Sequence, residues 1–157
     1  MPELNRITKL LGTGFYSGLV PIAPGTAGSF FCVIAAYLIS LWLGGLTLYL
    51  FFIFWCLITI LTTPAFERKY GEDPSPMVAD EWAGQIIPFI SISFSGNIGD
   101  DALLLLGGFL LFRFFDILKP LGINKLQELP GGYGVLSDDL LAGLYALFSL
   151  KLIILLV

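Results

Sequence analysis

The chain has 157 residues, of which 57% are hydrophobic and 13% charged, with no histidine and a mean hydropathy of +0.89. Ordinary soluble domains are about 45–50% apolar and about 25% charged, so this side-chain set excludes a soluble monomer. Eight basic and twelve acidic residues, net −4, also exclude a basic nucleic-acid-binding face, and the missing imidazole excludes every mechanism that needs one. The composition predicts an all-α integral membrane protein, one domain over residues 1–157, in which each charge needs a reason.

The stretch GTGFYSGLVPIAPGTAGSF, residues 12–30, is rich in Gly, Ser and Thr. With the residues before it, it lacks the compact apolar run and small-residue cleavage site of a signal peptide. Within it, Pro24 to Ser29 either caps the first apolar helix or presents backbone N–H groups to an anion. No charge occurs between Lys9 and Glu67. Ala27–Leu43 and Leu46–Thr63 are apolar runs of 17 and 18 residues, about 26 Å each as helix, near the lower limit for spanning a bilayer. Gly44-Gly45 predicts the turn between them. Cys32 and Cys56 fall in these runs and read as small buried hydrophobes.

Glu67–Glu81 is polar and holds Gly71, Pro74 and Pro76, which predicts a surface loop. Trp82–Phe94 and Ala102–Phe115, joined by the turn SGNIGDD, predict a hairpin of short tilted or re-entrant helices packed inside the first pair. Asp116–Asp139 reads as a second loop, and Leu140–Val157 as the last apolar run. The expected architecture is a compact bundle of about four to five transmembrane or re-entrant helices.

Basic residues set the orientation. Arg6, Lys9, Arg68, Lys69, Arg113, Lys119 and Lys125 all fall on one face if the chain makes five passes, and that face should be cytoplasmic. Lys151 is the exception and is expected to snorkel to the far interface. The same alternation puts Asp80, Glu81, Asp116, Asp138 and Asp139, from three separate segments, on the cytoplasmic boundary. Each pair has a bland explanation, because acids favour helix N-termini and Ser137 or Asp138 suits an N-cap. Arg113, Asp116 and Lys119 stand at i, i+3 spacing, as an ion-pair ladder or as two cations flanking a carboxylate for phosphate.

Hard oxygen ligands without His or interfacial Cys favour Mg²⁺ over zinc. No Cys-x5-Arg site and no DxDx[TV] signature occurs. Metal- and carboxylate-dependent phosphoryl transfer on a substrate at the bilayer surface is what remains. Rival readings are a small ion-coupled transporter with an acidic interfacial gate, which would want internal repeats, and a scaffold, which leaves the acids without a purpose. The DGxxAR core of CDP-alcohol phosphotransferases is missing.

Four blocks, GTGFYSGLVPIAPGTAGSF (12–30), VADEWAGQ (78–85), FRFFDILKP (112–120) and GGYGVLSDDLLAGLYA (131–146), resemble the phosphatidylglycerophosphatase A family in content and order. Trp82 and Ser137 stand where more aliphatic residues are expected. The resemblance implies a Mg²⁺-dependent multi-pass enzyme of the bacterial inner membrane, with its site facing the cytoplasm. That enzyme hydrolyses phosphatidylglycerophosphate to phosphatidylglycerol and inorganic phosphate, the last step of phosphatidylglycerol synthesis. Carried onto this sequence, it implies that Asp80, Glu81, Asp116, Asp138 and Asp139 are catalytic and hold Mg²⁺, one of them serving as base. Arg113 and Lys119 would bind the phosphate, and Gly25, Thr26 and Ser29 would donate hydrogen bonds to phosphate or glycerol. Direct attack by water and an aspartyl-phosphate intermediate both stay open.

Overall fold

The computed structural model describes residues 4–120 and 122–156, so Val157, the end of the last expected run, lies outside the described residues. Those residues form seven α-helices and no strand: α1 (Arg6–Gly12), α2 (Pro24–Trp42), α3 (Gly45–Tyr70), α4 (Ala79–Ile86), α5 (Ile98–Leu118), α6 (Ile123–Leu126) and α7 (Gly132–Leu156). Short 3-10 turns cover Ser17–Leu19 and Ile87–Phe89. By length and composition α2, α3 and α7, of 19, 26 and 25 residues, are long and apolar enough to cross a membrane.

Local chemistry explains most boundaries. Asn5 caps α1 by accepting from the Thr8 amide, and Asn97 caps α5 by accepting from Gly99. Gly44, at φ 81°, makes the reversal between α2 and α3 where the Gly pair predicted it. At the end of the bundle away from the acids, Asp101 accepts from the Ser95 and Gly96 amides and from the Tyr37 hydroxyl. That tie fixes the start of α5 against α2.

Several expected boundaries are corrected. The supposed first loop is half helical, because α3 runs on through Glu67, Arg68 and Lys69. The Trp82–Phe94 run is not one helix: α4 stops at Ile86, where Pro88 leads into the 3-10 turn. α5 is longer than Ala102–Phe115 at both ends. The second expected loop is replaced largely by α5, α6 and α7, so Asp116 sits in the last turns of α5 and Asp138 and Asp139 in the second turn of α7. Ser137 and Asp138 are therefore not N-caps; Gly132 and Gly134 enter the helix because packing outweighs their modest propensity cost.

The short α4 is the centre of the bundle. Seven of its eight residues are buried, and it packs against α2, α3 and α7. A Cβ on Gly143 of α7 would run into the Gly84 carbonyl of α4, and a Cβ on Gly84 would lie 2.6 Å from the Asp139 carbonyl oxygen and the Phe112 ring. Small residues thus let the two backbones touch. Trp82 of α4 stacks on Trp55 of α3 with centroids 4.5 Å apart, and the edges of Phe15 and Phe51 close around both rings. These contacts hold the first turn of α4 beside the second turn of α7.

Candidate active site

Four helix ends meet. Asp80 and Glu81 occupy the first turn of α4 rather than the end of the expected loop, where they suit the positive end of the helix. Arg113 and Asp116 come from the end of α5, Asp138 and Asp139 from α7, and Gly25 and Ser29 from the first turns of α2. The close α4–α7 crossing brings Asp139 within electrostatic reach of Asp116, Asp80, Glu81 and Asp138.

Arg113 is the hub. Its Nη1 lies 2.5 Å from Asp116 Oδ2, 3.8 Å from Glu81 Oε1 and 3.4 Å from Ser29 Oγ. Gly25 is pressed against this group, because a Cβ there would collide with Glu81 Oε1 and lie 3.3 Å from Arg113 Nη1. Only glycine lets α2 approach so closely. Thr26, half-buried, is in the same turn, but among the described residues no hydrogen bond ties its side chain to the acids. Ala23 before it adopts a left-handed conformation, φ 50°, and Pro24 opens the helix.

Lys119 departs from the expected ladder. It lies one residue past α5, at φ 46°, and donates to Asp138 Oδ2 at 2.5 Å rather than to Asp116. The left-handed turn, held just before Pro120, swings the lysine across to α7.

Most acids are buried: Asp80, Asp116, Asp138 and Asp139 are each less than 10% exposed. Burial pushes the Asp80 carboxyl well above the usual carboxylate range, and the charges of Asp138 and Asp116 push it further. Glu81 is raised by burial, then by Asp80 and Asp116, against the opposing pull of Arg113. Burial works against the charge of Lys119, but its hydrogen bond and attraction to Asp138 outweigh this and hold it above the ordinary lysine value.

One oxygen of each of Asp80, Glu81, Asp138 and Asp139 is buried without a hydrogen-bond partner, as is Arg113 Nε. Leaving so many polar atoms unmet is costly, and five acids face two cations. The unmet oxygens are hard donors that suit a divalent cation. Among the described residues no three acidic or cysteine side chains are drawn into a closed cage. Mg²⁺ commonly takes only a few carboxylates and completes its shell with water and phosphate oxygens.

Two features escaped the sequence reading. Gln85, one turn below Glu81, is fully buried; its Nε2 donates to the Gly108 carbonyl at 3.3 Å while its Oε1 has no partner. A cavity of about 690 Å³ beside the site is lined by Glu67, Glu72, Asp73 and Glu128, and the charge of Asp73 reaches Asp80 and Glu81. Gln85 ends the VADEWAGQ stretch, and nothing in its spacing marks it; the acidic cavity depends on loop geometry.

A family profile described as Phosphatidylglycerophosphatase A matches residues 10–154. The chain belongs to the phosphatidylglycerophosphatase A family. It is 38% identical over 149 residues to the phosphatidylglycerophosphatase A of Haemophilus influenzae, covering 91% of this chain and 85% of the relative. It is 30% identical over 142 residues to the Escherichia coli phosphatidylglycerophosphatase A, covering 90% and 80%. A Bacteroides thetaiotaomicron protein, provisionally named a phosphatidylinositol-3-phosphatase, is 39% identical over 154 residues, covering 93% and 92%. No solved structure matches the chain. Membership of the phosphatidylglycerophosphatase A family makes the protein a lipid phosphatase, a hydrolase of phosphoric monoesters.

Proposed function

We propose that the protein hydrolyses phosphatidylglycerophosphate to phosphatidylglycerol and inorganic phosphate, the last step of phosphatidylglycerol synthesis. It would do so with Mg²⁺, as one membrane-embedded domain of the bacterial inner membrane whose site faces the cytoplasm. The observation that carries this reading is the Arg113 hub, which joins Ser29, Glu81 and Asp116 beside four carboxylates that each keep an unpartnered buried oxygen. α2, α3 and α7 would cross the bilayer and leave the lipid's acyl chains in place while the head group reaches the helix ends. The family relationship weighs against a transporter.

Asp80, Glu81, Asp116, Asp138 and Asp139 would hold Mg²⁺. When bound, the ion supplies charge neutralisation at the phosphoryl oxygens and a more acidic water. Arg113 binds two phosphoryl oxygens through its guanidinium fork, and Lys119 a third as a point charge. Both offset the charge that grows on the phosphoryl group in the transition state. Gly25, Thr26 and Ser29 lie where the start of α2 would contribute amide and hydroxyl donors. One carboxylate takes a proton from water as that water attacks phosphorus. The P–O bond to glycerol breaks, and the carboxylate passes that proton on to the departing glycerol oxygen.

The provisional name of the Bacteroides relative favours a second substrate, a phosphoinositide monophosphate. One measurement separates these readings: phosphate release by the purified protein from phosphatidylglycerophosphate, phosphatidylinositol 3-phosphate and phosphatidic acid, with and without Mg²⁺. The proposal requires Mg²⁺-dependent release with phosphatidylglycerophosphate preferred. Release that survives chelation, or a preference for another lipid, overturns it.

A further inference from the structure

A groove of about 540 Å³ runs along the outer face of α2, away from the Arg113 hub. One wall is Phe31, Ile34 and Leu38, a single helical face spanning about 10 Å. The other is the turn before α2, where Phe15 and Tyr16 stand half-exposed. Gly14, Phe15 and Tyr16 have φ of 51°, 54° and 70°, three successive left-handed residues of which two carry bulky side chains. Such strain persists only where neighbours impose it. Here Phe15 is held edge-on to Trp55 and Trp82, and the Tyr16 amide donates to Thr13 Oγ1. The result is a fixed aromatic wall.

The lining is apolar except for one buried polar pair at its floor. Trp82 Nε1 donates to Ser17 Oγ, but at 3.4 Å, a long and weak bond that a better acceptor could displace. Trp82 directly follows Glu81 in α4, so this polar pair and the clustered acids lie on neighbouring faces of one helix, roughly 10 Å apart. A hydrocarbon chain with an ester at one end matches that layout. A polar or charged segment does not, because the lining is almost wholly apolar and aromatic.

We propose that the groove between the Gly14–Ser17 turn and α2 seats one acyl chain of the lipid substrate, with Trp82 and Ser17 at its ester end. The proposal rests on the reading of the protein as a phosphatase for a bilayer-resident lipid. It makes Phe31, Ile34 and Leu38 determinants of chain preference.

The test compares kcat/KM for dioleoyl and dibutanoyl forms of phosphatidylglycerophosphate. Leu38→Trp fills the groove from its exposed wall and should lower the long-to-short ratio about tenfold, the loss expected when a few methylenes leave an apolar site. Leu57→Trp, equally exposed on α3 but outside the groove, controls for bulk at the lipid face. An unchanged ratio in Leu38→Trp overturns the subsite. A second readout needs no turnover: in Trp42→Phe protein in nanodiscs, a phosphonate analogue brominated on its acyl chain should quench tryptophan fluorescence and saturate at low mole fraction. Quenching that only rises in proportion to bulk lipid means general solvation and also overturns the subsite. Absence of phosphate release from either substrate, with saturable quenching intact, instead sinks the activity.

Discussion

Lys119 Nζ lies 2.5 Å from Asp138 Oδ2, which joins the end of α5 to the second turn of α7. Asp138 is almost completely buried, whereas the lysine is partly exposed. Removing the lysine leaves a buried acid uncompensated. Breaking a fully buried pair costs about 3–5 kcal/mol, and partial exposure reduces this to about 1–3 kcal/mol for Lys119→Met in Mg²⁺-free buffer. Denaturation midpoints check this. Lys119→Met/Asp138→Leu should regain much of the stability and none of the activity, which separates the structural part of the pair from its chemical part.

Arg113 reaches Ser29, Glu81 and Asp116 from one nitrogen, and under the proposed function the rest of its fork would meet substrate. Lysine keeps the charge and loses the planar fork. Arg113→Lys should lower kcat/KM about 10²-fold, and Arg113→Ala further, with kcat falling more than KM rises if the contact strengthens in the transition state. Unchanged kcat in Arg113→Lys would remove the residue from the chemistry.

Gly25 has no room for a methyl group, because Glu81 Oε1 occupies the place of its Cβ, whereas Gly45 meets nothing within 4 Å. Gly25→Ala should therefore displace the Glu81–Arg113 pair and lower activity at least tenfold, with a modest fall in melting temperature. Gly45→Ala should leave both unchanged. Circular dichroism melts and phosphate release on the same preparations test the contrast.

These residues also mark what the sequence could carry. Charge scarcity isolates Asp80, Glu81, Arg113, Asp116, Asp138 and Asp139, and the structure gathers them because each sits at a helix end or within two turns of one. The partner of Lys119 was not legible, since regular i, i+3 spacing points to Asp116 while the left-handed turn at Lys119 sends it to Asp138. Helix limits failed where Asp116–Asp139 reads as one loop: Gly132 and Gly134 start α7, and Gly134 packs against the Gln127 and Leu129 carbonyls. Gly44 succeeded because a turn at positive φ is a local property.

Divalent cation should stabilise the protein as well as activate it. Asp80, Glu81, Asp138 and Asp139 each hold an unpartnered buried oxygen, and a bound cation would offset their repulsion. At about one hundred times its dissociation constant a ligand adds about 2.7 kcal/mol, equivalent to about 5 °C or more in a domain of this size. Mg²⁺ or Mn²⁺ should raise the melting temperature of the wild type by that order, and calorimetry should detect binding. Asp80→Asn and Asp139→Asn should each weaken the effect while stabilising the chelated protein, because each removes a buried charge. Equal stabilisation of all three proteins by Mg²⁺ would remove both acids from the metal site.

Asp101 tests the opposite end of the bundle. Burial alone would raise its carboxyl, but hydrogen bonds from the Ser95 and Gly96 amides and the Tyr37 hydroxyl outweigh it, so the group lies below the ordinary carboxylate range. A depressed acid binds protons less readily folded than unfolded. Its stabilisation is thus complete above the unfolded pKa of about 3.9 and fades as pH falls through the lower folded value. Asp101→Asn should lower the melting temperature at pH 7 and flatten its decline between pH 5 and 3. Tyr37→Phe, which removes one of three donors, should do so to a smaller degree. Neither change touches Arg113 or the acids, so phosphate release measured well below the melting temperature should stay at the wild-type level. Loss of activity in a folded Asp101→Asn protein would mean that the far tie positions the site through α5.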